Sequence, residues 1–366
     1  MDKLIEAIER TGNPSVVGLD PKPALIPAPV LAAARAEHGE SRAAALAAAY
    51  RAFNRSIVDA VAGIVPAVKP QIAMYEALGP AGLQLYCDTC AYARSQGLYV
   101  LGDVKRGDIG STAAQYAAHL GGVPEVAQWG DSFGTEPEDP WHEDAVTLNP
   151  YMGEDGIMPF VDVAQAADKD VFVLVRTSNP SSDQVQTLAL ADGGTVSGHV
   201  GELVERWGAD TLGAHGYSRV GAVVGATHPE AGAALRRAMP HTFFLIPGYG
   251  AQGGSAADVA AMFDANGSGA IVNSSRGIIG AWRKDERAAR FAPDADAAIA
   301  AASATTADAA LAEASVADAA AALDLVADCA RQAAERMRDD LVHALDNRPP
   351  VADPTADSRN NPKENA

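Results

Sequence analysis

The sequence predicts an α/β protein built as a closed (β/α)8, or TIM, barrel with an Ala-rich helical extension at its C-terminal end. Three observations carry this reading. Eight short runs rich in Val, Ile and Leu recur within about the first 280 residues of a 366-residue chain. Most of them are continuous in apolar character rather than alternating, as strands covered on both faces must be. Helical stretches separate them, the rhythm of parallel strands joined by crossover helices. An open doubly wound sheet shares that rhythm, but the count of eight and the absence of a Gly-rich turn after the first strand favour closure.

The elements follow in order. The first strand is read at 15–20, SVVGLD, and ends on Asp20. A helical stretch at 41–62 leads to the second strand at 64–71, IVPAVKPQ, with Lys69 near its end. After a helix at 79–96 the third strand, 98–105, LYVLGDVK, closes on Asp103 and Lys105. A helix at 111–120 precedes 121–144, which is acidic, rich in Gly and Pro, and reads as a long surface loop. His142, Glu143 and Asp144 lie there as solvated residues without metal-ligand spacing. The fourth strand is 145–151, AVTLNPY, with Asn149 a weaker candidate for the mouth. The fifth, 171–178, ends on Ser178 and is followed by a helix at 200–213. The sixth, seventh and eighth strands are 220–227, 243–250 and 269–276, the last ending on Arg276. Residues 1–283 form the barrel domain on this reading. Residues 284–346 form a helical extension packed on it, with a long amphipathic helix at 316–345 and a loosely held helical run at 293–315. The tail 347–366, NRPPVADPTADSRNNPKENA, has the composition of a disordered segment.

Composition narrows the function classes. Apolar residues make up 48% of the chain and charged residues 20%, enough for a sizeable core, and the net charge is −19. So acidic a surface disfavours nucleic acid and anionic membranes as partners, and an anionic ligand would need positive charge concentrated locally. The three cysteines, Cys87, Cys90 and Cys329, are too few for a disulfide framework and read as free thiols of a cytoplasmic protein. Cys87 and Cys90 are best taken as two thiols one helical turn apart. No signal peptide or membrane-spanning run is legible.

In a barrel the C-terminal strand ends converge on one mouth, where active sites are built. Asp20, Lys69, Asp103, Lys105, Ser178 and Arg276 all stand at such ends. Positions 103 and 105 are two apart and face the same side of a strand. Two carboxylates about 4 Å apart repel by roughly 4 kcal/mol at an effective dielectric near 20, so Lys105 between Asp103 and Asp108 makes an alternating array stable. Across the mouth, IPGYGAQGG (246–254) and IVNSSRGI (271–278) follow the seventh and eighth strands, a common phosphate site in this architecture. Gly residues let backbone N–H groups approach an anion there. Gln252 offers an amide donor and Arg276 a planar bidentate one. The match of GYGAQG (248–253) to a dinucleotide fingerprint sits too late in the chain for that role.

The pieces VVGLDP, VKPQ, GDVKRGDIGSTA, VRTSNPSS, IPGYGAQGG and SSRGI closely resemble the orotidine 5′-phosphate decarboxylase family in its longer bacterial subtype, over residues 3 to 283. The resemblance implies decarboxylation of orotidine 5′-phosphate to UMP by a homodimer, without metal or cofactor. It also implies roles. Asp103 lies against the substrate carboxylate, and Lys105 delivers the proton to C6. Asp108 comes from the second subunit to touch the ribose, and Ile109 and Thr112 cross with it. Asp20 and Lys69 bind ribose hydroxyls, Ser178 meets the pyrimidine, and Pro247 packs near its base. Gln252 and Arg276 hold the phosphate. Related sugar-phosphate decarboxylases share an isolated D-x-K but use a divalent metal in place of the second half of the array.

Overall fold

The computed structural model describes residues 1–126, 128, 138–191, 193–250, 253–291 and 308–348. Its centre is a closed parallel barrel, β1 (Ser15–Leu19), β2 (Ala67–Pro70), β3 (Tyr99–Arg106), β4 (Ala145–Leu148), β5 (Asp170–Arg176), β6 (Val220–Val224), β7 (Phe244–Pro247) and β8 (Ala270–Ser274). Each strand pairs with its sequence neighbours, and β8 closes on β1 with Val16 opposite Asn273. The eight expected strands are all present. Most are shorter at their C-terminal ends than the apolar runs suggested, because Pro and Gly turn the chain into loops at 149–153 and 247–250. Helices Arg42–Val61 and Pro80–Ser95 fall where expected, the helix expected at 200–213 lies earlier, at Val196–Gly208, and Ser41 caps the first of them by accepting from Ala44 N at 3.2 Å. The expected single helix at 111–120 is two, Gly110–Tyr116 and Ala118–Gly121.

Two apolar clusters account for the packing. The larger lies between strands and surrounding helices. The smaller fills the barrel with Val16, Ala67, Leu101, Ala145, Phe172 and Ile271, and Leu4 and Ile5 of helix Asp2–Thr11 pack against it. Strand side chains alternate with period two, so the next inward residue above each plug residue reaches the mouth. Those residues are Lys69 above Ala67, Asp103 above Leu101, Thr147 above Ala145 and Asn273 above Ile271, and all four face one cavity. The inward row thus turns from apolar to polar within one layer.

The helix expected at 316–345 spans Asp308–Asp346. It packs on helices Ala28–Glu37 and Arg42–Val61, which follow β1, and on Ala256–Ala260, which follows β7. Ala322, Ala330 and Ala334 are buried along it, and small side chains allow close approach. Its Leu325, Val326 and Met337 belong to the same core cluster as the barrel strands. The greater part of the run 293–315 and nearly all of the tail 347–366 lie outside the described residues.

One expectation outside the barrel is overturned. Glu143 and Asp144 are not solvated loop residues but buried ones, and His142 is half-buried. Glu143 is fully buried and accepts from Tyr86 Oη at 2.5 Å, with His119 Nδ1 2.7 Å from its other oxygen; Trp141 stacks on the His119 ring. Asp144 is 9% exposed and accepts from Val100 N at 2.8 Å. Burial is tolerated because these partners replace the lost water. Cys87 and Cys90 are free, as expected, on helix Pro80–Ser95; burial, with Glu143 nearby, pushes the Cys87 thiol up to about 11 and raises Cys90 as well, so neither is poised to react. Among the described residues no helix is long and apolar enough to cross a membrane, and no group of three or more His, Cys, Asp or Glu is placed to hold a metal ion.

Candidate active site

The mouth of the barrel holds a cavity of about 520 Å3 with a floor that includes Leu174, Val223 and Leu245. Asp103 is its hub. It is 6% exposed and accepts from Lys69 Nζ at 2.6 Å, Gln71 Nε2 at 2.9 Å and Thr147 Oγ1 at 3.0 Å, and from Lys105 Nζ. Burial alone would raise the Asp103 carboxyl, but Lys69 and Lys105 outweigh it and hold the group well below the usual carboxylate range. Lys69 is 4% exposed; burial works to lower it, and the Asp103 and Asp20 carboxylates outweigh that and raise it. Asp103 is therefore a fixed anion between two ammonium groups, not itself a proton donor.

The expected facing of positions 103 and 105 holds, but not through regular alternation. Lys105 has φ of 45°, in the left-handed region, and the register between β3 and β4 shifts between Gly102 and Arg106. A lysine in that conformation costs roughly 1–3 kcal/mol. The bulge is held by the Lys105 N–H, which donates to Thr147 Oγ1 at 2.9 Å. Its consequence is that the Lys105 side chain, 45% exposed, leans over the cavity while its ammonium stays on Asp103.

Asp20, at the end of β1, lines the cavity with its buried Oδ1 lacking a hydrogen-bond partner among the described residues, and Asn273 Oδ1 on β8 is in the same condition. Buried acceptors left unmet beside an open cavity are suited to ligand hydroxyls or N–H groups. Arg276 lines the cavity and is exposed; no ion pair engages it among the described residues. Ser178 and Pro247 line it too. Gln252 lies outside the described residues. Tyr249 also borders the cavity, and its hydroxyl donates to Asp340 on the C-terminal helix, tying that helix to the rim.

Asp108, Ile109 and Thr112 do not reach this chain's cavity. Asp108 Oδ1 accepts from Ile109 N at 2.8 Å, Ile109 is 47% exposed, and Thr112 is exposed on helix Gly110–Tyr116. Asn149 does not line the mouth either; its Oδ1 accepts from Tyr151 N at 3.1 Å and caps a short turn. The sequence reading missed Thr147, Gln71 and Asn273. Counting two residues on from the apolar plug on each strand would have found Thr147 and Asn273. Gln71 lies beyond the end of β2 and offered no such signal.

The site therefore joins a positioned ammonium, an anion that cannot titrate near neutrality, unmet acceptors and a guanidinium with no ion pair among the described residues. Such a set can protonate a nascent carbanion and grip a phosphate without redox chemistry. The chain is 48% identical over 286 residues to orotidine 5′-phosphate decarboxylase of Rhodopirellula baltica, covering 78% of this chain and 89% of that protein. It is 41% identical over 292 residues to the enzyme of that name from Clostridium perfringens, covering 80% and 92%. The solved structure of Leishmania donovani OMP decarboxylase superposes with a TM-score of 0.62 at 26% identity, covering 95% of this chain and 98% of that one. Residues 17–291 match the family model for the orotidine 5′-phosphate decarboxylase / HUMPS family, and the chain belongs to that family.

Proposed function

We propose that this protein decarboxylates orotidine 5′-phosphate to UMP in pyrimidine biosynthesis, acting as a carbon–carbon lyase with Lys105 as proton donor. The observation that carries this is the Lys105 ammonium, held on Asp103 over a cavity whose rim also bears Arg276. Loss of CO2 leaves an electron pair at C6 of the pyrimidine with no cofactor to delocalise it. An ammonium fixed beside C6 stabilises that charge more in the transition state than in the ground state, then transfers its proton there. The unmet Asp20 acceptor and Lys69 suit ribose hydroxyls. Ser178 suits the polar edge of the pyrimidine, with Pro247 against its base, and Arg276, with Gln252, the phosphate. Asp108, Ile109 and Thr112 do not line their own cavity, and Ile109 and Thr112 are exposed, which supports their donation to the mouth of a second copy in a homodimer.

The direct test is the loss of orotidine 5′-phosphate absorbance with purified protein, EDTA present and no metal added. Undiminished turnover is expected. Absence of turnover, or turnover that requires a divalent ion, overturns the proposal in favour of a metal-dependent sugar-phosphate enzyme.

Arg276→Ala is expected to lower kcat/KM for the nucleotide about 100-fold, the scale of a lost bidentate charge-assisted contact. Orotidine without its phosphate should lose little further on that background. If the nucleoside loses as much on the variant as on the unaltered protein, Arg276 is not the phosphate clamp.

A further inference from the structure

The chain after β5 folds back on itself, and what holds it lies outside the charge array. Arg176, the last residue of β5, is 3% exposed. Its guanidinium donates to Ser182 Oγ at 2.8 Å, to Gln186 Oε1 at 3.2 Å and to the Asp183 carboxylate. Gln186 accepts from Thr177 N at 2.9 Å and donates to Thr177 Oγ1 at 2.8 Å, and that hydroxyl donates to Asn179 Oδ1 at 2.6 Å. On the other side stands Gly225, just past β6, where an added Cβ would lie 2.8 Å from Ser178 N. Thr177–Asn179 is thus clamped between a buried cation and a glycine, and Thr177, Ser178, Asn179 and Gln186 all line the cavity.

Among the described residues its buried Nε has no partner, so burial of this guanidinium is offset by the contacts of its two terminal nitrogens, whose side-chain partners all come from the turn at 182–186. The ion pair therefore closes the turn. In the eight-membered ring β5 stands opposite β1, and Arg276 follows β8, beside β1. The clamped segment and the guanidinium assigned to phosphate thus follow strands three apart in the ring.

We propose that Arg176, Asp183 and Gln186 are positioning residues that preorganise Thr177–Asn179 for the base of the ligand and leave its sugar phosphate untouched. This rests on the nucleotide reading above. Fixing the segment before binding spares the ligand the entropy of ordering it.

The test uses Asp183→Ala, whose carboxylate is 62% exposed and which does not line the cavity. UMP and ribose 5-phosphate are titrated by calorimetry into the unaltered protein and the variant. The Kd for UMP is expected to rise about tenfold, equivalent to 1.4 kcal/mol, with ribose 5-phosphate unchanged within about twofold. Asp183→Asn should show the same selectivity at smaller size, and it serves if the alanine variant does not fold. Equal weakening of both ligands, or of neither, overturns the positioning role. Turnover by the unaltered protein separates the two readings. If it turns over but the variants are unselective, only the positioning role falls; if it neither turns over nor binds UMP, both fall.

Discussion

Lys105→Ala is expected to lower kcat by about 10^4-fold or more while UMP still binds within about tenfold of the unaltered protein. On the proposed mechanism two contributions disappear together: the proton donor and the fixed positive charge beside C6. Positioned general acids contribute 10^2–10^4 and a preorganised charge of this kind about as much, so a loss of four decades is a conservative sum. Binding is expected to survive because the side chain is the most exposed of the array and its removal leaves Lys69, Gln71 and Thr147 on Asp103. Alanine also relaxes neither the bulge nor its hydrogen bond to Thr147, which is made by the backbone. Single-turnover kinetics and UMP titration on the same sample check both halves. Near-normal turnover would remove Lys105 from the chemistry.

Asp103→Asn is expected to lower kcat by at least about 10^3-fold, with binding of orotidine 5′-phosphate retained or tightened. A carboxylate held against the substrate carboxylate raises the bound ground state by roughly 4 kcal/mol at an effective dielectric near 20, worth about three decades of rate. The amide removes that repulsion and loosens Lys105. A fall in kcat with equal weakening of binding would instead make Asp103 a binding residue. Stability should fall as well, by about 3–5 kcal/mol, because the buried Lys69 would lose the one carboxylate in contact with it and keep only the more distant Asp20. The pH dependence follows from the signs. The Asp103 pKa is depressed, so its contribution to stability is complete above the ordinary carboxylate value, near 3.9, and fades as pH falls below it toward the folded value. The Lys69 pKa is raised, so its contribution is complete below about 10.4 and is lost as pH rises through the higher folded value. Between about pH 5 and 9 the pair adds no slope to the melting temperature. A melting temperature for Asp103→Asn equal to that of the unaltered protein would show that the pair does not stabilise the fold.

The strands were legible because each is covered on both faces and so written as an apolar run. The strand ends followed, and with them Asp20, Lys69, Asp103, Lys105, Ser178 and Arg276, which line one cavity. Thr147 and Asn273 escaped because a lone Thr or Asn in a strand carries no mark of which face it takes until the apolar plug beneath defines the inward parity. Glu143 was misread because its partners, Tyr86 and His119, come from separate helices 57 and 24 residues away in sequence.

What the residues by themselves determined was the order of elements and the chemistry available at each strand end, since both depend on local composition and period. Only the folded barrel decided three things. It set the left-handed turn that aims Lys105, the seating of the C-terminal helix beside the helices that follow β1, and the closure of the β5 turn by Arg176. Each depends on contacts between segments whose proximity is a property of the closed ring and appears in no local pattern.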